Sequence, residues 1–325
     1  MRPEPVWEPS LMASSAWWND FRYAKGTMHV KKTGAAVPIE PAIVRDFLNW
    51  CVFHGWVECA RHSVVSDGPR IWFSPDQPRP WYLIWPVMAL SRARFARHPS
   101  EADVIFTFDD ATWVPERPVP LHVPVLNARC SDISKTHVAE VFEQVSGRAL
   151  RCDPLNYGAP YVEKSEQNAA HDGRILYQPQ APRDGYTYQR LINNLDHDGN
   201  VLDLRCSTIG GEIVQVYLKR RPVERRFANS NTRVTLADPA TVFTAVERAM
   251  IARFCSAMEL DWGGIDVLRD RDTGELWIVD VNKTDMGPTI TLGLKDKITA
   301  VRRLATRLDA YLEARLHQKQ SAIAA

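Results

Sequence analysis

Two short stretches near the C-terminus constrain this chain most. Gly264-Ile265-Asp266-Val267 and Ile278-Val279-Asp280-Val281-Asn282 are rich in β-branched residues and flank Thr273-Gly274, so they read as the two arms of an antiparallel hairpin. Alternate side chains of a strand share a face. Asp280 and Asn282 therefore point one way, and Val279 and Val281 the other. A turn centred on Thr273 sets Asp266 opposite Asp280. Like charges directly opposite destabilise a sheet, so something should compensate them; an exposed hairpin with polar outer positions is the competing reading. The isoleucines and valines on either side favour burial on both faces. Two buried acids and an amide oxygen make Asp266, Asp280 and Asn282 candidate ligands for Mg²⁺, a hard cation that prefers oxygen.

Upstream, the pattern alternates between helices and strands. The spacing predicts a helix over 41–54, with Pro41 in its first turn, Gly55 as its stop, and Ile43, Val44, Phe47, Leu48 and Cys51 as its inward stripe. Apolar runs at 70–73, 81–85, 103–108 and 121–126 read as buried strands. The texture changes near Asn127. Ser131-Asp132-Ile133-Ser134 can cap a helix that carries Lys135, Val138, Val141, Phe142 and Val145 and stops at Gly147. Strands are expected at 161–164, 174–178, 186–192, 201–207 and 212–219, the last two joined through Gly210-Gly211. A helix is expected from Asp238-Pro239 to about Met258, with Val242, Val246, Met250 and Phe254 on one face. A closing amphipathic helix over 296–317 turns Ile298, Val301, Leu304, Leu308, Tyr311 and Leu312 inward. The expected division is a small N-terminal α/β domain, 1–126, and an α+β domain, 127–325, made of lobes 127–195 and 196–325.

Composition excludes several function classes. With 40 Lys and Arg against 39 Asp and Glu in 325 residues, the chain has no global pull toward nucleic acid or anionic lipid. No apolar run reaches the roughly 20 residues that span a bilayer. The N-terminus carries no apolar segment behind a basic start, so no signal peptide is expected. The six cysteines form no C-x-x-C pair and have no zinc spacing, which suits reduced thiols in the cytoplasm. No G-x-S-x-G or G-x-x-x-x-G-K-[ST] motif is present. The Trp-rich start (Trp7, Trp17, Trp18) suits packing on the body or a subunit contact. If the chain oligomerises, a symmetric homodimer is the expected form.

Several cations precede the acids. Lys164 closes an apolar strand before the polar loop 166–173, where a lysine can clamp a phosphate as a point charge. Lys135 stands at a helix start. Asn168, His171 and Asp172 lie in the loop, and His171-Asp172-Gly173 reads equally well as a plain turn. Asp203 and Arg205 share a strand face, which suits a structural ion pair. Lys219, Arg221, Arg225 and Arg226 suit a solvated basic face.

The order of these pieces resembles the ATP-grasp superfamily over about residues 125–315. It runs from a lysine helix to a lysine strand with a polar loop, then Gln189-Arg190-Leu191-Ile192, the Arg205 and Lys219/Arg221 strands, and Asp266 followed by Asp280-x-Asn282. The resemblance implies two lobes gripping ATP, preceded by a small α/β domain that helps to bind substrate. Lys135 and Lys164 would contact the ATP phosphates. Gln189, Leu191 and Ile192 would lie on the hinge strand beside the adenine. Asp266, Asp280 and Asn282 would hold Mg²⁺. Arg205, Lys219 and Arg221 would face the transferred phosphoryl group or an acidic substrate. The implied activity is a Mg-ATP-dependent ligase that joins a small-molecule or peptide carboxylate to an amine, or a thiol, through an acylphosphate. A kinase acting on a hydroxyl is the second enzyme reading. A non-catalytic nucleotide- or nucleic-acid-binding module is the reading from another class. Three departures stand out: Asp280 in place of the usual Glu, a glycine-poor phosphate loop, and the tail Lys283-Thr284-Asp285-Met286-Gly287-Pro288.

Overall fold

The computed structural model describes residues 17–31, 36–115, 123–168, 170, 172–228 and 230–324. Expectations on Trp7, Leu121 and His171 fall outside them. The chain forms two compact units, one of residues 1–73, 77–105 and 286–325, the other of 74–76 and 106–285. This division differs from the expected one at 126/127, because the C-terminal segment packs with the N-terminal part of the chain.

The first unit opens with an antiparallel meander of β1 (Phe21–Ala24), β2 (Thr27–Val30) and β3 (Ala36–Pro38). Next in the chain come α1 (Pro41–Arg61), β4 (Arg70–Pro75), α2 (Ile84–Leu90), β5 (Arg94–Phe95) and β6 (Val104–Phe108), the last residues of β4 and of β6 being counted with the second unit. β4 lies parallel to β5, with Ile71 beside Phe95. The closing helix, named α6 below, is Leu294–Ala324 and packs on α1 and α2. Its predicted stripe is inward at Val301, Leu304, Leu308 and Leu312. Two expectations are corrected here. α1 runs through Gly55, and its predicted inward stripe faces outward, with Ile43, Val44, Phe47 and Leu48 between 39% and 58% exposed. Phe53, His54 and Val57 are buried instead. Residues 81–85 are not a strand. They lead into α2, where Pro86 is accommodated in the first turn.

The second unit holds β7 (Val125–Leu126), α3 (Lys135–Ser146), β8 (Tyr161–Ser165), β9 (Arg174–Leu176), β10 (Tyr186–Arg190), β11 (Asn200–Ile209), β12 (Glu212–Pro222), β13 (Arg233–Ala237), α4 (Pro239–Val242), α5 (Ala245–Ala257), β14 (Trp262–Arg269) and β15 (Leu276–Asn282). One antiparallel sheet has the order β10-β8-β9, and a five-stranded one has the order β13-β12-β11-β14-β15. Ser134 caps α3 by accepting the His137 N–H, and Gly147 ends it at φ 74°, a left-handed conformation that glycine adopts without penalty. The single helix expected from Asp238 is two helices. Thr244 and Glu247 form a capping box that restarts the chain as α5 and leaves Val246 78% exposed.

The large sheet is two-sided in chemistry. Leu204, Cys206, Val216, Ile265, Val267 and Val281 join α3 and α5 in one hydrophobic core. The opposite face carries Asp203, Arg205, Tyr217, Lys219, Asp266 and Asp280, set side by side by the registers Asp203↔Lys219, Arg205↔Tyr217, Arg205↔Asp266 and Asp266↔Asp280. Among the described residues, no helix is long and apolar enough to cross a membrane.

Candidate functional site

The hairpin of β14 and β15 places the two acids as expected, by a route the sequence pattern does not show. Near the turn the register is Leu268↔Trp277 and Val267↔Ile278, and it then shifts to Asp266↔Asp280. Val279 is the extra residue of a β-bulge. Continued without the bulge, the same ladder would set Val279 opposite Asp266 and turn Asp280 onto the apolar face. The bulge lets Ile278 and Asp280 both face correctly, and Ile278, Val279 and Val281 are all buried.

Each acid keeps one buried oxygen without a hydrogen bond. Arg205 Nη1 lies 3.1 Å from Asp266 Oδ2, and Arg205 Nη2 lies 2.7 Å from Asp285 Oδ1. Lys135 Nζ stands 3.7 Å from Asp280 Oδ1, close enough for an ion pair and too far for a hydrogen bond. Asp266 Oδ1 and Asp280 Oδ1 are buried, and neither has a hydrogen-bond partner. Buried carboxylate oxygens rarely go unsatisfied, and an oxygen-seeking divalent cation would satisfy both. The residues present therefore fit Mg²⁺ at the two acids. Asn282 is held by its neighbour, its Oδ1 accepting the Thr284 N–H at 3.0 Å. Among the described residues, no group of three or more His, Cys, Asp or Glu could hold a metal. Burial works against an ionised Asp266, but the charges of Arg205, Lys219 and Arg221 outweigh it and hold its carboxyl below the usual carboxylate range.

The cations divide into two kinds. Lys164 and Lys219 are part-buried, and neither makes a hydrogen bond or ion pair among the described residues. Burial presses the Lys164 ammonium down to about 8, Lys135 pushes the same way, and Asp280, Asp203 and Asp266 oppose them. The cluster of Lys135, Lys164, Asp203, Asp266 and Asp280 is thus one electrostatic unit. Arg221 belongs to the other kind. It donates through Nε to Arg226 O (2.7 Å), through Nη1 to Asn231 Oδ1 (3.0 Å) and through Nη2 to Asp203. Asp203 pairs with Arg221 on the neighbouring strand, and the expected partner Arg205 turns to Asp266 and Asp285. Arg226 is tied to Asn194 and to Ile192 O. Arg220 is tied to Asp196, and Arg225 to Ser230. The expected solvated basic face is therefore largely a cross-linked loop, with Lys219 alone unpaired among these cations.

The loop and hinge positions are ordered around the start of α3. Glu166 accepts the Thr136 N–H at 3.0 Å and also its hydroxyl, and Lys135 Nζ donates to Gln167 O at 3.2 Å. Asn168 N–H donates to Thr112 Oγ1, and Asp172 Oδ1 accepts the Ser165 N–H. Gln189 is buried, with its amide 3.5 Å from Lys135 O. Ile192 joins the core, and Leu191 is part-buried. The cysteines of this unit do not suit nucleophilic chemistry. Burial pushes the Cys130 and Cys255 thiols up to about 12, and Cys152 to about 11.

Asp285 is the site residue that sequence reasoning misses. The available signal is the Gly263-Gly264 pair inside β14, since glycine within a strand marks a close approach. A Cβ at position 264 would lie 2.6 Å from both Arg205 Nε and Asp285 Oδ2.

No protein-family model and no curated protein matches the chain. Solved structures to which it is similar include ATP-grasp ligases. The D-alanine–D-alanine ligase from Bacillus anthracis is 11% identical, over 78% of this chain and 99% of that one, at TM-score 0.49. The RimK domain ATP-grasp protein from Sphaerobacter thermophilus is 14% identical, over 75% and 99%, at TM-score 0.43. The ATP-grasp ligase PsnB, complexed with a phosphomimetic variant of a minimal precursor, Mg and ADP, is 15% identical at TM-score 0.42. That match spans 60% of this chain and 62% of PsnB.

Proposed function

We propose that the chain is an ATP-grasp enzyme that uses Mg-ATP to activate a carboxylate for joining to an amine or thiol. The observation that carries the reading is the gathering of two lysines without side-chain partners, Lys219 on the large sheet and Lys164 of β8, around Asp266 and Asp280, each of which keeps a buried oxygen without a hydrogen bond. Such a set binds a polyphosphate and its counter-cation together. The lysines and Arg205 neutralise phosphate oxygens, and the acids hold the metal. When bound, Mg²⁺ would neutralise charge on the phosphates, where most of the catalysis of phosphoryl transfer arises.

In this reading Lys135 and Lys164 fix the phosphates, and Gln189, Leu191 and Ile192 lie beside the base. Arg205 and Lys219 face the transferred phosphoryl group. Arg221 takes no part in the chemistry and holds Asp203 and the 226–231 loop in place. The substrate carboxylate attacks the γ-phosphorus, ADP leaves, and the amine then displaces phosphate to give an amide. The chain supplies no nucleophile of its own in this scheme, in keeping with the raised thiols of Cys130, Cys152 and Cys255.

Thermal unfolding with ATP, with and without Mg²⁺, tests the binding step on the wild type and on Asp280→Asn. A ligand at about 100 times its Kd adds roughly 2.7 kcal/mol to the native state. The expected result is a Mg²⁺-dependent rise in midpoint that the variant loses. Absence of any rise with ATP, ADP or GTP refutes the reading. Product analysis then tests the chemistry: an amide with free phosphate supports the ligase, and a stable phosphoester refutes it.

A further inference from the structure

The tail after Asn282 has no place in the scheme above, yet it delivers a third carboxylate to the acid pair. The Thr284 N–H bonded to Asn282 Oδ1 turns the chain directly after β15, and Asp285, 4% exposed, comes to rest against the Arg205 guanidinium. Arg205 belongs to β11, and it reaches this position across the space left by Gly264. The two Nη atoms go to different acids, one to Asp266 Oδ2 and one to Asp285 Oδ1.

This division has a consequence for Asp266. A guanidinium facing one carboxylate takes it as a fork, with two parallel N–H···O bonds. Here Asp285 occupies half of the fork, and Asp266 Oδ1 is left buried and unbonded. We propose that Asp285 is a positioning residue that shares Arg205 with Asp266 and so keeps one Asp266 oxygen open for the divalent cation. Gly264 serves the same end, because any side chain there would separate Arg205 from Asp285. The proposal rests on the Mg-ATP reading and adds to it a residue that touches neither metal nor nucleotide.

The test is the Mg²⁺ midpoint of the ATP-induced rise in unfolding temperature, read at fixed ATP for the wild type, Asp285→Asn and Gly264→Ala. In Asp285→Asn, Arg205 closes onto both oxygens of Asp266. The midpoint moves to higher Mg²⁺, by on the order of tenfold or more, as for other losses of outer-shell support around a metal. The plateau of the rise is retained. Gly264→Ala moves it the same way with the Asp285 carboxylate present, and it carries the test if Asp285→Asn does not fold. A purely structural Asp285 lowers the ligand-free unfolding temperature and leaves the Mg²⁺ midpoint of both variants at the wild-type value, which overturns the proposal. A wild type with no ATP response overturns the Mg-ATP reading itself, so the two failures are distinguishable.

Discussion

Replacing Lys164 by methionine should make the ligand-free protein more stable and blind to ATP. Burial is the main force on the Lys164 ammonium, lowering it from 10.5 to about 8, so the fold disfavours the charge that the proposed function needs. A tenfold change in a proton equilibrium is worth about 1.4 kcal/mol. Charging Lys164 at pH 7 then costs the native state on the order of 3 kcal/mol, a ceiling that residual solvent contact reduces. Methionine keeps the length and removes the charge. For 325 residues melting together, an unfolding entropy of roughly 2.1 cal/mol/K per residue converts this to a rise of about 4 °C. The pH dependence fixes the sign. Between about 8 and 10.5 the unfolded chain binds a proton that the native state has released, so wild-type stability rises with pH across that window. Lys164→Met lacks this rise. Calorimetry from pH 7 to 10.5, with and without Mg-ATP, reads both effects. A variant that melts lower than the wild type at pH 7, or that keeps the alkaline rise, refutes the account of Lys164 as a charge held at a cost.

Two further predictions concern the scaffold of the second unit. Gly147→Ala forces a Cβ into a left-handed residue at the end of α3 and should cost about 1 kcal/mol, seen as a lower midpoint in urea with unchanged slope. Glu163 is 1% exposed and accepts from Arg174 (2.6 Å), Arg183 (3.1 Å), Gln180 (2.8 Å) and Tyr188 (2.9 Å). Burial alone would raise its carboxyl, and these donors hold it below the usual range. Its contribution is therefore complete above the ordinary glutamate value and is lost as pH falls through the lowered one. Glu163→Gln should cost about 2 kcal/mol at pH 7 and flatten the acid limb of the stability profile; an unchanged limb refutes this role.

How far the fold is legible depends on whether the deciding signal is local. α3 is read correctly at both ends because Ser134 and Gly147 act on backbone groups within four residues. The Thr244–Glu247 capping box is local too, yet the apolar spacing that runs across it hides it, and one helix is expected where two exist. α1 shows the limit of periodicity. Its stripe marks an amphipathic helix and cannot say which face the rest of the unit covers. Gly55 is no stop where Trp56 and Val57 pack beyond it, since a mid-helix glycine costs only about 1 kcal/mol. The run at 81–85 is too short for its period to separate strand from helix, and its neighbours in α2 decide.

The site divides along the same line. The placement of Asp266, Asp280 and Asn282 is legible because one hairpin carries all three, although the register that aligns them comes from the Val279 bulge and not from the turn alone. The roles of Arg205 and Arg221 are not legible. Sharing a face with Asp203 suggests a pair along one strand, where side chains two positions apart are nearly 7 Å apart. Neighbouring strands are under 5 Å apart, so cross-strand partners win: Asp203 goes to Arg221 of β12, and Arg205 goes to Asp266 of β14. Asp285 lies 80 residues from Arg205 in sequence, and no pattern in either segment announces the other. What the sequence does contain is a vacancy at Gly263-Gly264, in a strand whose other residues all carry side chains. A glycine that strand propensity disfavours is kept where something else must occupy its space. Here the occupant is the guanidinium that decides how many oxygens Asp266 can offer.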